Sequence, residues 1–200
     1  MTTICVSLML AAIATEPQPQ PPSMLPTPAD WRFERIEFPL SFAPELKYEG
    51  FEELRFSPGM FNAESETYFT YIFAMKITSA AALDAAELQS LLETYFRGLC
   101  RTVAKEKKFD IDVSKISAQV RADQPNAQPA RSFRATVESF DPFVTGKPLT
   151  LNLEMIVIDA SRTDHRIFAA VSPKPTDASI WQLLRAQKDA FQARHAQDTK

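Results

Sequence analysis

The chain has 200 residues, 45% of them apolar and 24% charged, with a formal charge of −3. That composition suits one folded domain with a substantial core. Its longest basic run is Lys107-Lys108, which excludes a phosphate-neutralising stripe and makes nucleic acid a poor partner. The four glycines, Gly50, Gly59, Gly98 and Gly146, stand far apart, so no loop offers the clustered N–H groups of a nucleotide phosphate site.

Residues 4–14 form an apolar run too short to span a bilayer, and Ala12-Ile13-Ala14 has the small residues a signal peptidase reads. Residues 1–14 are therefore expected to be an export signal cleaved after Ala14, although Met1-Thr2-Thr3 lacks the usual positive charge. The mature chain is then expected to be periplasmic or secreted, with no transmembrane segment. Cys5 leaves with the signal. Cys100 remains as the lone thiol, expected as a small apolar residue at the edge of the core.

Residues 15–30 hold six prolines and two glutamines, the composition of a disordered or polyproline II leader. One domain, residues 31–194, should follow, with a polar tail at 195–200 in which His195 is exposed. Twelve aromatic residues crowd the stretch from Trp31 to Phe73. Within it, residues 31–38, 51–56 and 67–76 read as strands, broken by Pro39, Pro44 and Ser57-Pro58-Gly59. The third strand is apolar on both faces, as a buried strand would be.

Residues 84–103 then carry Leu88, Leu91, Leu92, Tyr95, Phe96, Leu99 and Val103 at helical spacing. Asp84 with Glu87 has the form of a capping box, and Lys105, Lys107 and Lys108 suit the negative end of the helix dipole. Gly98 in mid-helix predicts a close crossing of helix and sheet. Four alternating strands follow at residues 115–122, 132–138, 149–157 and 165–171, and Asp177 can cap a last helix bearing Ile180, Leu183, Leu184 and Phe191. The expected fold is α+β: a mainly antiparallel sheet of about seven strands in the order βββ-α-ββββ-α. It packs on one long amphipathic helix plus a C-terminal helix.

No motif for catalysis, cofactor or metal stands out. Asp110 and Asp112 share one side of an extended segment but lack the glycine turn and distal glutamate of a calcium loop. His165, beside Asp164 and near Ser161, lacks the strained elbow of a nucleophilic serine. Glu52 and Glu53 point apart on a strand. The wet face of the later strands, with Arg121, Arg134, Asn152 and Glu154 at its centre, is the candidate ligand surface.

The expected function is an exported non-catalytic binding or accessory domain for an unknown protein, glycan or small-molecule ligand. The alternative is a small enzyme or a lipid or small-molecule carrier with an apolar pocket between the long helix and the aromatic-rich N-terminal strands. That arrangement resembles hot-dog thioesterases and dehydratases in architecture only, and on the enzyme alternative the acid–base residues would be drawn from Asp141, Asp164 and His165.

Overall fold

A computed structural model describes residues 22–124 and 130–195. The export signal, Cys5, the first part of the leader and residues 196–200 lie outside the described residues. Strands β1 (Arg32–Glu37), β2 (Glu49–Phe56) and β3 (Tyr71–Thr78) form one antiparallel meander, and β4 (Ser117–Gln124), β5 (Ala130–Phe140), β6 (Pro148–Asp159) and β7 (Asp164–Ser172) form another. The two join where β3 pairs with β7, giving one seven-stranded sheet in the order β1-β2-β3-β7-β6-β5-β4. Helix α1 (Ala85–Lys107) carries the chain from the central β3 to the far edge strand β4, and α2 (Ile180–His195) closes the chain. This is the expected α+β order.

Alternation sorts the strand residues into two apolar layers. The inner layer joins Leu54, Phe73, Met75, Val137, Leu153, Met155 and Ile167 to the α1 stripe of Leu88, Leu91, Leu92, Tyr95 and Phe96. Asp84 accepts from the N–H groups of Ala86 and Glu87, as the cap predicts. The reciprocal half of the capping box is absent, because the Asp84 N–H donates to the Ala82 carbonyl instead. Farther along α1, Cys100 and Ala104 take the buried positions, leaving Leu99 and Val103 half-buried. Gly98 does mark a close approach, but to the loop after β1 rather than to the sheet: a Cβ there would lie 2.1 Å from the Phe42 carbonyl oxygen.

The outer face is not uniformly wet. Trp181, Leu184 and Phe191 of α2 cover Ile72, Ala74, Ile156, Phe168 and Ala170 on β3, β6 and β7. The stripe of α2 is thus rotated from the expected one, with Trp181 fully buried and Leu183 exposed. His195 is buried rather than exposed, its ring centroid 4.5 Å from that of Phe191.

Residues upstream of Trp31 also pack on the domain, so the end of the expected leader is part of the fold. Met24 and Leu25 are buried in the outer layer. Glu53 accepts from the Ser23 hydroxyl and the Leu25 N–H, while Arg55 donates to the carbonyls of Leu25 and Trp31. What remains open on the outer face is its β4–β5 half, together with part of β6.

Candidate functional site

On that open half the register places Arg121 opposite Arg134, Arg134 opposite Glu154, and Thr136 between Gln119 and Asn152. These side chains, with Thr176 from the segment before α2, line a shallow polar hollow of about 330 Å³. All four residues expected to bind ligand are thus brought together. They meet because residues of equal parity on paired antiparallel strands share one face. Thr176 is an addition that strand periodicity could not supply, since it reaches the hollow from outside the sheet.

The hollow is electrostatically uneven. Arg134 Nε donates to Asp123 at 3.1 Å. Glu154 is buried and accepts from Arg185 at 2.7 and 2.9 Å and from Lys188 at 2.9 Å. Burial opposes its charge, but hydrogen bonds from these two cations outweigh it and hold the carboxyl below the usual range. Glu154 therefore anchors α2 to the sheet. Asn152 donates its side-chain N–H to the Lys174 carbonyl at 3.2 Å.

The acid–base candidates do not converge. Asp141 lies just past the end of β5, whereas His165 and Asp164 sit at the opposite end of the sheet, roughly 40 Å away at the usual strand rise. Each is occupied in holding the fold. The Asp141 carboxylate accepts from the Tyr68 hydroxyl at 2.6 Å and from the N–H groups of Phe143, Val144 and Thr145, closing the β5–β6 loop. His165 is buried, with Nδ1 2.7 Å from Asp159 and Nε2 3.2 Å from the Ser79 carbonyl oxygen. Arg131 donates to the same Asp159 and to the Leu83 carbonyl, so the network fixes the approach to α1. The Ser161 hydroxyl accepts from the N–H groups of Thr163 and Asp164 inside its turn, and Asp164 accepts from Thr78.

The space between α1 and the aromatic strands is filled. Tyr95 stacks on Phe73 at 6.1 Å and meets Phe42 edge-on at 5.1 Å, and Phe73, Leu88, Leu92 and Phe96 are each 1% exposed or less. Glu52 intrudes there as a buried acid. It is completely buried beside this stack; Oε2 lies 3.4 Å from the donating Tyr95 hydroxyl, and Oε1 has no hydrogen-bond partner. Loss of water pushes its carboxyl up to about 8. Its parity with Leu54 and Phe56 was the available signal for this burial.

Cys100 is likewise buried, with Sγ 3.6 Å from the Ser139 hydroxyl, and burial raises its thiol. Asp112 caps a short 3-10 turn (Val113–Lys115) through the Ser114 N–H. Among the described residues no group of three His, Cys, Asp or Glu side chains is placed to hold a metal ion, and no helix is long and apolar enough to cross a membrane. Comparison with known proteins finds no matching family model, no matching curated protein and no matching solved structure.

Proposed function

We propose that this chain is an exported, non-catalytic binding domain whose ligand occupies the polar hollow on the outer face of β4, β5 and β6. The observation that carries the reading is the hollow itself. Gln119, Arg121, Arg134, Thr136 and Asn152 converge from three strands, on the part of the outer face that α2 leaves uncovered. Rigid strands are good platforms for such a constellation, because their side chains keep fixed spacing. The filled layer under α1 supports the choice of the outer face over an interior pocket.

A thermal-shift screen with compact sugars, hydroxy acids and amino acids tests the site, since a ligand that binds only the folded state raises the melting temperature. Hits should stabilise the parent chain and lose that effect in Arg134→Glu and Asn152→Ala. Hits that stabilise both variants as strongly as the parent would move the ligand elsewhere. Export is checked separately by isolating the mature chain from its host and sequencing its N-terminus. Thr15 is the expected first residue, and a chain retaining Met1 in the cytoplasm would contradict it.

A further inference from the structure

Arg121 and Arg134 are direct cross-strand neighbours. Opposed residues on an antiparallel ladder hold their Cβ atoms about 5 Å apart, and like charges so placed repel. Arg134 is partly relieved by Asp123. Arg121 has no acidic partner among the described residues. The hollow's own acid cannot serve, because Glu154 is already held by Arg185 and Lys188. Four cations thus stand around two acids, and the surplus sits at the Arg121–Arg134 end.

The footprint limits the size of what fits. Three strands at about 4.8 Å spacing and two residues of strand rise give a floor of roughly 10 by 7 Å, the breadth of one six-membered ring with its substituents. Away from the arginines the walls offer Gln119, Thr136 and Thr176, and Asn152 retains its side-chain carbonyl as an acceptor.

Resting on the reading of this hollow as the binding site, we infer that its ligand is a carboxylate-bearing sugar residue. The carboxylate lies between the Arg121 and Arg134 guanidinium groups, and the ring hydroxyls meet Gln119, Thr136, Asn152 and Thr176. Guanidinium forks match carboxylate oxygens in geometry as well as charge. The bound anion also supplies the countercharge that the free protein lacks.

Calorimetric titration of the protein with galacturonate, its methyl ester and galactose tests this. The acid should bind saturably and the two neutral sugars at least tenfold more weakly. In the Arg121→Gln/Arg134→Gln variant that preference should vanish while the melting temperature falls no lower than the parent's, because a repulsion has been removed. Acid and ester binding equally, with both weakened by Asn152→Ala, would overturn the anion inference and leave the hollow as the site. Acid binding that survives both variants undiminished would overturn the hollow as well, and no saturable binding of any of the three would overturn the assignment of an acidic sugar.

Discussion

Glu52 and Glu53 are consecutive, and strand geometry sends them into opposite layers of the protein. Glu53 finds Ser23, the Leu25 N–H and Arg35; Glu52 finds only the Tyr95 hydroxyl. Because the folded state raises the Glu52 carboxyl from its ordinary 4.5 to about 8, folding takes up a proton. Stability from this group is complete below pH 4.5, falls as pH rises toward 8, and is flat beyond. Glu52→Gln should therefore unfold like the parent at pH 4 and be more stable at pH 8, by on the order of a few kcal/mol. Urea midpoints across that range check it, and a difference independent of pH would contradict it.

Asp141 has the opposite sign. Burial raises its carboxyl, but Tyr68, Thr145 and the loop N–H groups together hold it below the usual range. Its contribution is present above the ordinary carboxylate range and lost as pH falls below it. Asp141→Asn should cost about 2–3 kcal/mol near neutrality, with the gap closing in acid. Arg121→Gln, by contrast, should be neutral or stabilising by up to about 1 kcal/mol, since it relieves a like-charge pair.

At the scale of elements, α1 was legible because cap, stripe and basic end all agree, and such agreement is what a stable helix requires. Its neighbours were less so. Gly98 signals a tight approach but not the partner, because nothing local says that the Phe42 loop crosses there rather than a strand. Gly98→Ala should cost about 1–3 kcal/mol by forcing that loop off the helix. A denaturation midpoint equal to the parent's would mean the loop yields freely.

Helix α2 was expected with Leu184 and Phe191 inward, as they are, but its stripe is rotated so that Trp181 replaces Leu183. Its apolar residues are few, and Trp181, absent from the expected stripe, is the anchor, its indole N–H donating to the Lys174 carbonyl. Trp181→Ala should cost about 3–5 kcal/mol and raise amide exchange along α2 before α1, which hydrogen-exchange mass spectrometry would resolve. Arg185 and Lys188 gave no signal as partners of Glu154, because ion pairs between distant elements leave no local periodicity.

Over the whole molecule, seven strands and two helices followed from alternation and helical spacing, while the second layer on the sheet did not. The apolar character of both faces of β3, and of Ile156 and Ile158 on β6, was the trace of that layer. It could not say which segments would cover them, and residues 22–30 were assigned to the leader because of its proline content. That covering determines which surface is left open: α2 and the N-terminal strap occupy one half of the outer face, and the ligand-binding candidates lie together on the other. Six of the hollow's residues, Gln119, Arg121, Arg134, Thr136, Asn152 and Glu154, were nameable from strand parity alone. The unused charge of Arg121 became visible only once β4 and β5 were in register.

The most direct measurement of the account is backbone amide mapping by nuclear magnetic resonance during a titration with galacturonate. The predicted result is saturable shifts confined to residues 119–121, 134–136, 152–154 and 176. Shifts along α1 at Leu88, Leu92 and Tyr95, with the outer face of β4–β6 unmoved, would contradict it.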